Sequence, residues 1–184
     1  MADARIACRI CCAKGETPMN CRTDKSMYAP NETVCVYVDG LPAETVSLRL
    51  ILSRLEKTVL TEEIAAAERF SLLPPAKDGK GYLLEVQALD PDKALLADAF
   101  TAIDVSSAWT RFPRYGYVWD FPPGVDAQAK IETLCRFHIN GLQFCDWQYR
   151  HHRPVADGTS VWKDWSGRTV SGDAVRAYLS AAHE

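Results

Sequence analysis

Between Cys21 and Val105 apolar residues return at every second position in one short segment after another. That period commits the first half of the chain to half-buried strands. In "MYAPNETVCVYVDG" the Pro30-Asn31 turn leads into Val34, Val36 and Val38, and "TVSLRLILSRL" repeats at Val46, Leu48, Leu50 and Leu52. "KTVLTEEI" reads as a short strand, with a helix over "TEEIAAAERF" as its competitor because the alanines favour helix. "FSLLPP", "GYLLEVQALD" and "ALLADAFTAIDV" supply further strands. Short strands at this spacing predict an antiparallel sandwich rather than βαβ units. Tyr82, just after the bend "DGK", reads either as the tyrosine corner of an immunoglobulin-like sandwich or as a plain strand aromatic after a hairpin turn.

After Val105 the pattern changes. "SSAWTRFPRYGYVWDFPPG" is rich in aromatics, proline and glycine and reads as a linker packed against both neighbours. "VDAQAKIETLCRFHIN" predicts a helix with Asp126 in its first turn and Ile131, Leu134, Cys135 and His138 on one face. "GLQFCDW" follows as a strand entered through Gly141, then a long loop from Gln148 to about Gly172. "GDAVRAYLSAAHE" is a second amphipathic helix carrying Val175, Leu179 and Ala182. Helix, strand, loop and helix open an α/β pattern, but one such unit cannot enclose a core. The expectation is either a piece of a longer enzyme or a second part that leans on the sandwich.

Composition narrows the function classes. The chain has 184 residues, 47% hydrophobic and 24% charged, which suits a globular protein with one domain and part of another. A net charge of -3 lacks the basic footprint of a nucleic-acid binder. No apolar run approaches the roughly 18 to 20 residues that cross a bilayer. The N-terminal stretch, interrupted by Arg9, is a poor signal peptide. Seven cysteines cannot all pair within the chain, so reduced thiols are the simplest reading. Cys8, Cys11, Cys12 and Cys21 lack the second spaced pair of a strong zinc signature, and the adjacent His151 and His152 would point to opposite sides of a strand with no third ligand spaced nearby. Neither a metal nor a cofactor is expected.

Two long motifs, "DVSSAWTRFPRYGYVWDF" and "HINGLQFCDWQYRHHRP", resemble signature stretches of glycoside hydrolase family 66, the dextranases and cycloisomaltooligosaccharide glucanotransferases. The resemblance extends to "TDKSMYAPNETV", to the spacing of "LLPP" and "GY", and to "AYLSAAH", and runs from about Thr23 to His183. It departs at Cys145, where the family's motif usually has an aromatic, and in "PPGVDAQ". What it implies is an immunoglobulin-like sandwich over 21–105 and, over 106–184, the first strand and helix of a truncated (β/α)8 barrel; residues 1–20, which the resemblance does not reach, read as a poorly ordered N-terminal extension. The substrate implied is α-1,6-glucan or isomaltooligosaccharide. Most of the family is secreted, whereas the weak leader and unpaired cysteines of this chain are compatible with the cytoplasm.

In such barrels the site is built at the carboxyl ends of the strands, which is where the polar burst after "GLQF" would lie. Trp147 and Tyr149 have flat faces that stack on pyranose rings. Gln143, His151 and His152 can donate and accept hydrogen bonds, and Asp146 can accept them from sugar hydroxyls. Trp162 and Trp165 would extend the surface. Each has a plainer reading: Gln143 inside a barrel core, Tyr149 and Trp162 covering a domain junction, the histidines on the open surface. A retaining glycosidase also needs two carboxyl groups about 5 to 5.5 Å apart. The family's nucleophile and acid/base are implied to lie on later strands, beyond Glu184. Asp157 and Asp164 read as loop residues with nothing to fix them at that spacing. Three functions stay open: part of a dextranase-like enzyme, a non-catalytic glucan-binding module, and a truncated relic.

Overall fold

The computed structural model describes residues 18–183. Cys8, Cys11 and Cys12, and most of the expected N-terminal extension, lie outside the described residues; Asn20 already opens the first strand.

The alternating segments become seven strands. β1 (Asn20–Thr23), β2 (Val34–Asp39) and β5 (Arg69–Leu72) form one antiparallel sheet in the order β1-β2-β5. β3 (Ser47–Arg54), β4 (Lys57–Ala65), β6 (Lys80–Leu89) and β7 (Leu95–Val105) form the other in the order β4-β3-β6-β7. Because side chains alternate between faces, Val34, Val36 and Val38 of the first sheet meet Leu48, Leu50, Leu52, Leu84 and Val86 of the second in one dry core. The alanine-rich segment that competed as a helix is divided between the end of β4 and the start of β5, and β4 pairs with β3 from Ser47–Ala65 to Arg54–Lys57. Cross-strand pairing with a buried partner outweighs the helix preference of a few alanines, which is worth only tenths of a kcal/mol per residue. Tyr82 enters β6 buried against Ile103. Among the described residues its hydroxyl makes no hydrogen bond.

Beyond the sandwich, the stretch expected to be a linker contains a strand. β8 (Tyr115–Val118) lies inside it, preceded by a short 3-10 turn at Trp109–Arg111. α1 (Ala127–Arg136) crosses over, and β9 (Gly141–Phe144) returns beside β8 in parallel register, Tyr115 against Gly141 and Val118 against Phe144. "GLQF" is therefore the second strand of a βαβ unit, not the first strand after the sandwich. The signal was hidden because glycine and proline surround "YGYV", but its period of two is present. Asp126 caps α1, accepting from the backbone N–H of Ala129 at 3.0 Å. His138, expected on the helix face, falls past the end of the helix at φ 55°.

The expected long loop folds partly into a hairpin, β10 (Val161–Lys163) and β11 (Thr169–Ser171), which runs directly into α2 (Gly172–His183). A second core gathers Val118, Phe121, Ile131, Trp162, Val170, Val175 and Tyr178. Phe121, Phe144 and Tyr178 form its aromatic centre, their ring centroids 5.5 to 6.1 Å apart. Gly116 is needed here: a β-carbon would sit 2.8 Å from Ile139 and 3.2 Å from Leu142.

The two cores are tied by polar contacts. Asp104, at the end of β7 and 3% exposed in its side chain, pairs with the Arg114 guanidinium just before β8. Asp78 accepts from Ser107 N–H at 2.8 Å and Ser107 hydroxyl at 2.7 Å, and faces Arg111 at 3.2 Å. Asn140 accepts from Arg114 N–H and donates to the Phe112 carbonyl, fixing the entry to both parallel strands.

Candidate functional site at the ends of the parallel strands

One face of the β8–β9 pair is packed on the helices and the other is uncovered. Gly116 and Val118 face the helices, so Tyr115 and Tyr117 face away, 58% and 63% exposed. Gln143 is opposite Tyr117 and is exposed on the same side. The ladder continues past both strands through Cys145 N–H to the Val118 carbonyl at 2.8 Å. Trp119, 62% exposed, and Asp120 then follow β8, as Cys145 and Asp146 follow β9.

Asp146 is exposed and left-handed at φ 53°, a conformation aspartate tolerates better than most residues. The turn ends β9 and leaves the carboxylate 3.5 Å from the Arg168 guanidinium.

Arg168 comes from the hairpin and joins the ends of both strands. Its Nη1 donates to the Trp119 carbonyl at 3.0 Å, its Nη2 faces Asp146, and its guanidinium lies over the Trp119 ring at 5.4 Å. Behind it stands Asp164, whose side chain has no exposure. The Asp164 carboxylate accepts from the Ser166 N–H and hydroxyl at 2.8 Å each, the Arg168 N–H at 2.9 Å and Arg168 Nε at 2.7 Å. Burial by itself would raise this carboxyl, but the hydrogen bonds from Ser166 and Arg168 outweigh it and hold the pKa down to about 2. The residue expected to float in a loop is the best-satisfied carboxylate of the region. Its scaffold is the β10–β11 hairpin, which stands where the sequence predicts a loop.

The other expected site residues divide. Trp147 and Tyr149 are half-buried and pack against the second core, and the Trp147 carbonyl accepts from Trp162 Nε1 at 3.2 Å. Trp162 is buried inside the second core. Trp165 is exposed at the hairpin tip. His151 and His152 sit exposed at the tip of a tight turn closed by Arg150 and Arg153. Asp157, also exposed, pairs with Arg153. Trp119 and Arg168 are the residues that sequence reading missed. Trp119 continues the alternation of Tyr115 and Tyr117, whereas Arg168 carries no local signal because its position depends on the hairpin.

A groove of about 1110 Å³ lies along the far edge of β9, lined by Ile131, Leu134, Leu142, Phe144, Val175 and Leu179 and bordered by Gln143 and Trp147 of the strand end. Leu179, expected on the buried face of the second helix, is 47% exposed towards it, and Ala174, Val175 and Tyr178 take the buried places. No helix among the described residues is long and apolar enough to cross a membrane. Among the same residues no three metal-ligating side chains gather, and the free cysteines are Cys21, Cys35, Cys135 and Cys145.

The family model of glycosyl hydrolase family 66 matches residues 23–184. The chain belongs to that family. Two cycloisomaltooligosaccharide glucanotransferases of Niallia circulans are 31% and 29% identical to it over 88% of its length. The chain spans only 18% of these relatives. A crystal structure of a Paenibacillus sp. cycloisomaltooligosaccharide glucanotransferase, complexed with cycloisomaltoheptaose, superposes with a TM-score of 0.74 at 31% identity. It covers 91% of this chain, which in turn covers 26% of that one. This family 66 chain is thus similar to a limited part of much larger enzymes.

Proposed function

We propose that this chain is the N-terminal part of a family 66 enzyme acting on α-1,6-linked glucan, an immunoglobulin-like sandwich followed by the opening of a (β/α)8 barrel. Its own contribution is one wall of the glucan cleft. The observation that carries the reading is the gathering of Trp119, Asp120 and Asp146 at the carboxyl ends of two adjacent parallel strands, the end at which barrel enzymes build their sites. The uncovered face of Tyr115, Tyr117 and Gln143 is the interior face of such a barrel, and the apolar groove beside β9 suits a third parallel strand.

The domain division proposed is residues 21–105 for the sandwich and 106–184 for the barrel opening. The mechanism proposed for the whole enzyme is retaining, with hydrolysis or transglycosylation decided by which acceptor reaches the intermediate. Its carboxylate pair is assigned outside this chain. Asp146 is engaged by Arg168, Asp164 is buried, and Asp157 is paired with Arg153. Gln143, Asp146, Trp147, Tyr149, His151 and His152 remain the proposed sugar-facing set, with Asp146 best placed.

Two assays test this. Reducing-sugar release from dextran by the chain is expected to be zero, while calorimetric titration with isomaltooligosaccharide gives heat at millimolar sugar. Turnover that Asp120→Ala or Asp146→Ala abolishes would put the chemistry in this chain and overturn the assignment. Absence of heat would remove the cleft wall.

A further inference from the structure

We propose that Arg168 is the positioning residue of the glucan-facing site, locked by buried Asp164 so that it holds the Asp146 carboxylate and the Trp119 indole as one glucose-binding element. The inference rests on the glucan reading above and adds to it which groups make the subsite and what keeps them in place.

An arginine fork can bind two partners at fixed angles, which a lysine cannot. Here the Nε side is occupied by Asp164 at 2.7 Å, leaving the two terminal nitrogens aimed at the ends of different strands: the Trp119 carbonyl at 3.0 Å and Asp146 Oδ2 at 3.5 Å. The anchor is rigid because Asp164 makes four hydrogen bonds inside a seven-residue stretch, Lys163 to Thr169, closed by the β10–β11 ladder. The outcome is a tryptophan whose ring is backed by the guanidinium and stays 62% exposed, beside an exposed carboxylate. That pairing is what a pyranose needs: a flat apolar face to lie on and a charged acceptor for its hydroxyls. Asp146 sits at φ 53°, so its carboxylate direction depends on an outside partner, and Arg168 is that partner.

The test is titration of the full chain with isomaltotriose, followed by calorimetry and by tryptophan fluorescence. The wild type binds with a fluorescence change that Trp119→Phe removes. Arg168→Lys keeps the charge but loses the fork, and it weakens binding about tenfold, equivalent to about 1.4 kcal/mol, with an unchanged melting temperature. In the Asp146→Asn background the same Arg168→Lys change costs little more, because the residue acts through Asp146. Arg168→Lys that binds like wild type, or whose loss simply adds to that of Asp146→Asn, overturns the positioning role while leaving the glucan reading intact. If Arg168→Lys melts early, Asp164→Asn serves as the second variant, with the same non-additivity expected. A wild type that gives neither heat nor fluorescence change overturns the glucan reading and this proposal together.

Discussion

In the sandwich Val34, Val36 and Val38 of β2, Leu48, Leu50 and Leu52 of β3 and Tyr82, Leu84, Val86 and Ala88 of β6 are all buried, whereas Tyr115 and Tyr117 of β8 and Trp119 just past its end stand in the open. The two regions are built from similar apolar residues. What separates them is closure. A sandwich of three and four strands covers both inner faces with its own chain. A single βαβ unit covers one face with helices and leaves the other, together with both strand edges, for something else. The open region is also where the charged anchor, the left-handed aspartate and the exposed tryptophan gather.

Truncating each core is the strongest way to break this comparison. Leu84→Ala in the sandwich removes a fully buried side chain and should cost about 3 kcal/mol in denaturant unfolding. Leu142→Ala, half-buried beside the open groove, should cost less than half as much. Equal losses would mean that the second region is as closed as the first.

Cutting the tie between them comes next. Asp104→Ala strips the partner of Arg114 and should cost about 2 kcal/mol. Limited proteolysis should then reach the 106–114 segment before the sandwich unfolds. A variant as resistant as the wild type would show that the pair does not hold the junction.

Much of this was legible in the sequence, and the exceptions have physical causes. Period-two alternation in Val34 to Val38 and Leu48 to Leu52 is a local property, so it survives without any knowledge of partners. The strand in "YGYV" carried the same alternation, but surrounding proline and glycine weighed against it. The hairpin around Asp164 was invisible because its strands are only three residues each and pair locally under the end of β8. Asp146 could be read as a strand-end acceptor, but its arginine partner lies 22 residues away and meets it only through the fold.

Acid should separate the regions again, more gently. The Asp164 carboxyl is depressed to about 2 from an ordinary 3.8, so its contribution is present above about pH 4 and is lost as pH falls through 2. Between those values the 163–169 hairpin should lose hydrogen-exchange protection ahead of the sandwich. Asp164→Asn should remove that acid-dependent step. Simultaneous loss in both regions would count against a hairpin anchored by this carboxylate.

The smallest effect concerns His138, whose Nδ1 is buried without a hydrogen-bond partner among the described residues. Burial lowers its pKa below the ordinary 6.5, against the opposing pull of the Ser26 backbone and Asp104 and alongside the nearby Arg114. The neutral ring is favoured in the fold, so stability should decline as pH drops below 6.5. His138→Asn, which tolerates φ 55°, should flatten that decline when melting is followed from pH 7.5 to 5.5.

Hydrogen exchange along the whole chain, with and without isomaltotriose, tests the central claim most directly. The account predicts added protection at Val118 to Asp120, at Cys145 to Trp147 and in the 163–169 hairpin, with the sandwich strands unchanged. Protection confined to the sandwich, or none at the ends of the parallel strands, would contradict it.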